Sequence, residues 1–147
     1  FKYFDKNSEG YFGRLDCSQE YSALTAACLA VSKKNWLKLK GFNELNLPVN
    51  YNDVDICLEA RQIGLRNLYL PSVEAYHYES KTRGKLDGSQ YKLWKKERKY
   101  FRDKWRFILE NDPSYSPYLS LIKEDFSMTL RLPRNIQGRS CTINSYR

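Results

Sequence analysis

Residues 52–71, Asn-Asp-Val-Asp-Ile-Cys-Leu-Glu-Ala-Arg-Gln-Ile-Gly-Leu-Arg-Asn-Leu-Tyr-Leu-Pro, decide how this chain is read. Asn52 is a natural N-cap, and Asp53, Val54 and Asp55 then take the first three helical positions. Val54, Cys57 and Leu58 fall on one apolar face, and Gly64 stands where a left-handed C-cap belongs. Arg66 to Leu70 follows as a short strand ended by Pro71, and residues 73–78 make a second extended run. Alternation in that run puts Val73, Ala75, His77 and Glu79 on one side, and Glu74, Tyr76 and Tyr78 on the other. Two carboxylates, one imidazole and a basic loop thus lie within a few dozen residues, which points to part of an enzyme.

Upstream, the small apolar run at residues 23–31, ALTAACLAV, predicts a buried strand, and Ser32 then caps a short helix through Leu39 that Gly41 stops. Residues 1–20 have no steady periodicity and form an irregular opening segment. Downstream, 81–88 is a polar loop, after which Asp87 or Ser89 can cap a long helix reaching about Glu110. Tyr91, Trp94, Phe101, Trp105 and Ile108 recur along it at helical spacing, as a packing face does. The remainder holds Pro113, Pro117 and Pro133 and is expected to wrap over other parts. We read 1–147 as one unit: opening segment 1–20, a site-bearing portion 21–86, a long helix 87–112 and a tail 113–147.

At 147 residues the chain is long enough for one domain with a real core. Lys and Arg outnumber Asp and Glu by 25 to 17, a net charge of +8 that attracts phosphates, nucleic acid or an anionic membrane face without choosing among them. The chain opens at Phe1 rather than Met, and no apolar run approaches the roughly 18 residues of a membrane span. A piece of a larger cytoplasmic protein, at most peripheral at the inner face of the membrane, is the expectation. The four cysteines, Cys17, Cys28, Cys57 and Cys141, form no C-x-x-C pair and have no His at zinc spacing, so they read as reduced and structural.

The two aspartates need separate explanations. Asp55, at the third helical position, can reach back to the Asn52 N–H as in a capping box. Asp53, at the first, can point into a cleft as a general base for a substrate hydroxyl, or be an ordinary acid at a helix start. His77 is the only histidine. Glu79 shares its face and Lys81 and Arg83 follow on a Gly-containing loop, an arrangement suited to a divalent cation and the phosphate oxygens it bridges. A hydrogen-bonded core histidine is the other reading. Asp53-x-Asp55 lacks the further ligands of a calcium loop, and no Gly-rich phosphate signature is present.

In order and spacing, four blocks together resemble the C-terminal, acceptor-side half of a family 2 glycosyltransferase of the GT-A fold. They are YSALTAACLAVSKKNW with GFNE, then NDVDICLEARQIGLRNLYLP, then AYHYESKTRG, and NDPSYSPYLS with EDFS, spanning about Tyr11 to Met128. The last block resembles bacterial enzymes that build O-antigen and other surface polysaccharides, often rhamnosyl- or similar hexosyltransferases. The resemblance implies an α/β fold and an inverting reaction, in which a saccharide or lipid-linked acceptor hydroxyl attacks the anomeric carbon of a nucleotide-diphosphate sugar. It puts the catalytic base at Asp53, with Asn52 in the slot where the family usually has Glu. It puts a ligand to Mg²⁺ or Mn²⁺ at His77 and leaving-group contacts at Lys81 and Arg83, with Asn52, Asp55 and Glu79 in support. The family's N-terminal donor-binding half, with its Asp-x-Asp, has no counterpart in the chain, so this polypeptide alone is expected to have at most weak transferase activity. An incomplete sheet would also leave strand edges open to self-association.

Two other classes compete. A basic nucleic-acid-binding module would use the +8 charge and the Lys/Arg/aromatic helix from Tyr91 to Trp105. No reader motif is present and the helix aromatics fall on one side, so nucleic acid is not the expected partner. A non-catalytic interaction fragment is the third.

Overall fold

The computed structural model describes residues 5, 7–75, 88–122 and 125–129. They form a mixed α/β arrangement of three helices, a two-stranded antiparallel sheet and short 3-10 turns. The helices are α1 (Lys33–Leu39), α2 (Asn52–Gln62) and α3 (Gly88–Glu110); the strands are β1 (Gln19–Tyr21) and β2 (Asn67–Tyr69).

Helix α1 starts as its sequence predicts, with the Ser32 hydroxyl accepting the Asn35 N–H at 3.3 Å. It ends in a left-handed step at Lys40 (φ 63°), one residue before the expected Gly41. The Gly41 N–H donates to Trp36 O and the Lys40 N–H to Leu37 O, the paired bonds of a Schellman end. Glycine is required at 41: its φ is +70°, and a Cβ there would lie 3.0 Å from the Trp36 ring. Helix α2 closes the same way at Gly64 (φ 80°), with Leu65 N–H on Ala60 O and Gly64 N–H on Arg61 O.

Helix α2 is buried on more sides than the single Val54/Cys57/Leu58 stripe predicts. Ile56 and Ala60 join Leu39, with Trp36, Phe42 and Leu65 around them. Leu58 joins Leu47, Phe101 and Trp105, with Tyr51, Val54, Tyr100 and Ile108 around them. The Cys57 thiol turns toward the Leu24 carbonyl at 3.7 Å. The apolar residues of α2 form a short run, Ile56 to Leu58 with Ala60, that is buried against both clusters, and each of the larger side chains contributes roughly 1.5–3 kcal/mol of burial. Buried Asn67 joins it to the sheet, donating its amide to Cys57 O at 3.0 Å and to Ser22 O at 2.9 Å.

The predicted strand at 23–31 is not formed. Residues 26–28 make a 3-10 turn capped by Thr25, whose hydroxyl accepts the Ala27 N–H, and Thr25 to Cys28 are exposed. Small side chains gain little by burial, and among the described residues no strand pairs with this run. The sheet strand instead comes from the supposedly irregular opening segment, with Gln19 opposite Tyr69 and Tyr21 opposite Asn67. The strand predicted over 66–70 is present as β2, whereas the second extended run forms no strand over its described residues, 73–75, where the Val73 N–H closes a turn on Leu70 O.

Along α3 the packing stripe holds at Phe101 and Trp105, both buried. At its start Tyr91 is exposed and stacks on Trp94, with the Lys95 and Arg98 cations over the two rings. Ser89 lies inside the helix rather than capping it, and Asp87 is outside the described residues. Two contacts join the described part of the tail to the opening segment, Arg14 donating to Ser114 O and Tyr11 stacking on Phe126 at 4.5 Å, and just before the tail Asp112 accepts from Ser22. Among the described residues no helix is long and apolar enough to cross a membrane.

Candidate functional site

The approach to α2 is a tight loop over 47–51. Leu47 is fully buried beside Leu58, Phe101 and Trp105 and anchors it. Tyr51 is left-handed (φ 64°) and lays its ring on Phe101, centroids 5.0 Å apart and 16° from parallel. A non-glycine residue in that region costs about 1–2 kcal/mol, which the ring stack and the surrounding core offset. Tyr51, not Asn52, is the N-cap; its carbonyl accepts the Asp55 N–H at 2.8 Å. Each residue therefore sits one position deeper in the helix than the sequence predicts, with Asn52 first, Asp53 second and Asp55 fourth.

That shift separates the two aspartates. Asp55 makes no capping box: its carboxylate is 1% exposed and turns to α3, where it accepts the Trp105 indole N–H at 2.6 Å and lies 2.8 Å from the Lys104 ammonium. Lys104 also reaches Glu59 at 2.7 Å. Burial is the largest single influence on the lysine and pulls its pKa down, but the bonds and charges of Asp55 and Glu59 outweigh it, and the net shift is upward. Asp55 is thus the buried, satisfied centre of a cluster that reaches the surface through Lys104 and Glu59.

Asp53 is half-buried and faces the opposite way. One carboxylate oxygen accepts the Val54 N–H at 2.8 Å, and the other accepts the Ala26 N–H at 3.2 Å from the exposed 26–28 turn. Both partners are backbone donors, and each carboxylate oxygen has further lone pairs for a ligand. Beneath it, burial pushes the Cys57 thiol pKa up and the Asp53 charge adds to that rise. Cys57 is buried as expected; Cys28, placed in a strand by its sequence, is exposed, as is Cys17, and all three are free. Cys141 is outside the described residues.

His77, Glu79, Lys81 and Arg83 also lie outside the described residues, so the structure neither joins them to Asp53 nor separates them from it. Among the described residues no three His, Cys, Asp or Glu side chains gather as a metal site would require.

Sequence reading misses the group that holds this site in place. Glu97 of α3 is fully buried, and its Oε1 accepts the N–H groups of Val49 at 2.8 Å and Asn50 at 3.1 Å. Its Oε2 accepts the Asn50 side-chain amide. One signal is available: Glu97, Phe101 and Trp105 recur at four-residue intervals on one helix face, an acid in line with two core aromatics.

No protein-family profile matches the chain, and no solved structure matches it. A protein of Sinorhizobium fredii (strain NBRC 101917 / NGR234), described as uncharacterized protein y4gI, is 38% identical to it over 121 residues, 82% of this chain. The chain spans 13% of that relative's length.

Proposed function

We propose that the chain is the acceptor-side part of a family 2-like, inverting glycosyltransferase with a partial GT-A fold, acting in bacterial surface-polysaccharide synthesis. One observation carries the reading: a half-exposed Asp53 carboxylate, held only by backbone N–H groups, at the start of a buried helix and beside an exposed turn of small residues. The four resembling blocks supply the reaction class. An acceptor hydroxyl hydrogen-bonds to the Asp53 carboxylate, which takes its proton as the hydroxyl oxygen attacks the anomeric carbon. The bond from that carbon to the nucleoside diphosphate breaks, its electron pair leaves with the diphosphate, and the configuration inverts. Thr25 to Cys28, small and exposed, leave room for an acceptor sugar beside the base.

By the same resemblance His77 would contact a divalent cation, which would neutralise charge on the leaving diphosphate, and Lys81 and Arg83 would hold its oxygens. The described residues supply no ligand set for the ion, so no step is routed through it. The donor half, the nucleotide sugar, the saccharide or lipid-linked acceptor, and a cytoplasmic position at the inner membrane face belong to the same proposal.

The outer face of α3, with Lys92, Lys95, Lys96, Arg98 and Arg102 exposed, favours a second reading as a polyanion-binding or non-catalytic interaction module. The two readings part in one experiment: transfer from a panel of nucleotide sugars with Mg²⁺ or Mn²⁺ by the complete gene product carrying this chain, against its Asp53→Asn and His77→Ala variants. Transfer that falls about 10²-fold or more in Asp53→Asn supports the base assignment. Transfer unchanged in that variant contradicts it, and no transfer to any acceptor by the wild type leaves the second reading in its place.

A further inference from the structure

Glu97 lies 44 residues from Asp53 in sequence (97 − 53) and does not touch it, yet it governs where Asp53 can be. The carboxylate is fully buried in α3 and receives three donors from a two-residue stretch: the N–H groups of Val49 and Asn50, and the Asn50 amide. Those residues immediately precede left-handed Tyr51, the N-cap of α2, whose ring rests on Phe101 one helical turn beyond Glu97. Val49 is exposed and Asn50 half-buried, so the cost of opening these bonds falls on Glu97, a fully buried carboxylate that would be left without its donors. From Glu97 the path to the candidate base is short and stiff: two bonded amides, one constrained N-cap, then Asn52 and Asp53 in the first turn.

We infer that Glu97 is a positioning residue, a latch that fixes the 49–51 loop to α3 and so aims the Asp53 carboxylate at the exposed 26–28 turn. The inference rests on the reading of Asp53 as the base for its catalytic consequence, but the latch itself has a separate structural readout. The Ala26 N–H, bonded to Asp53 and far from Glu97 in the chain, reports the position of the carboxylate. If the loop slips, the base moves by a fraction of an ångström to an ångström, a displacement that can cost about 10²-fold in rate.

The bond pattern prescribes the test. Asn50→Asp sets a carboxylate against Glu97 and opens the latch from the loop side, away from the core. Glu97→Gln alone keeps an acceptor for the two N–H groups, and its amide can donate to Asn50 once that side chain turns its oxygen. In the double variant Asn50→Asp/Glu97→Gln the amide introduced on α3 donates to the carboxylate introduced on the loop, and the pattern is restored with the charge exchanged. Two readouts are taken on the complete gene product. One is amide exchange and chemical shift at Val49, Asn50 and Ala26; the other is kcat and donor KM for transfer.

The expected result is faster exchange at Val49 and at position 50 and a shifted Ala26 amide in Asn50→Asp, with kcat down about 10²-fold and donor KM little changed, and both effects reversed in the double variant. An Ala26 amide that stays put in Asn50→Asp, or a double variant no better than the single, overturns the latch. A latch that behaves as expected in the exchange data while the wild type shows no transfer upholds the positioning of Asp53 and instead removes the glycosyltransferase reading.

Discussion

The two sides of helix α2 use the same kind of side chain in opposite ways. Toward α3, Asp55 and Glu97 are buried and fully engaged, by Trp105 and Lys104 in one case and by the 49–50 loop in the other. Toward the 26–28 turn, Asp53 keeps part of its surface in solvent and meets only two backbone N–H groups. A carboxylate whose hydrogen-bonding capacity is spent on its own chain holds structure, and one with capacity to spare beside open surface can meet a ligand. The buried side supplies the rigidity that gives the open side a fixed direction.

The strongest way to break this contrast is to remove Asp55. Asp55→Ala leaves the buried Trp105 indole N–H without its acceptor, while Lys104 keeps Glu59 and access to solvent, and we expect a loss of about 1–3 kcal/mol in denaturant unfolding. Lys104→Met is milder, since that side chain is 25% exposed and Trp105 still serves Asp55; about 1–2 kcal/mol is expected. The lysine also gives the contrast a pH signature. Its pKa is raised in the folded state, so its contribution is complete below the unfolded value near 10.4 and is lost as pH rises through the folded one. The stability gap between wild type and Lys104→Met should accordingly hold at neutral pH and close above about pH 10.4. Least costly to measure is thiol reactivity: at pH 8 Cys17 and Cys28 should label quickly, and Cys57, buried and with its pKa raised, only as the protein unfolds.

How much of this is legible in the sequence depends on how far each signal reaches. Ser32, Gly64 and the helical spacing around Cys57 act within a turn or two, and α1, α2 and the end of α2 lie close to where those residues predict. The start of α2 differs by one residue because Tyr51 takes a left-handed conformation that tertiary packing on Phe101 imposes and local propensity disfavours. Residues 23–31 mislead for a related reason: a small apolar run has strand character only if a neighbour pairs with it, and β2 pairs with Gln19–Tyr21 instead. The candidate base is legible as an acid at a helix start. Its separation from Asp55 is not, because the partners of Asp55 stand 49 and 50 residues further along the chain.

The most direct test of the account is Asp53→Asn in the complete gene product, read twice on the same preparation, by denaturant unfolding and by transfer from nucleotide sugars. The account predicts stability within about 0.5 kcal/mol of wild type and transfer reduced about 10²-fold or more. A variant that loses several kcal/mol of stability, or that transfers as well as wild type, would place Asp53 with Asp55 among the residues that only hold the fold.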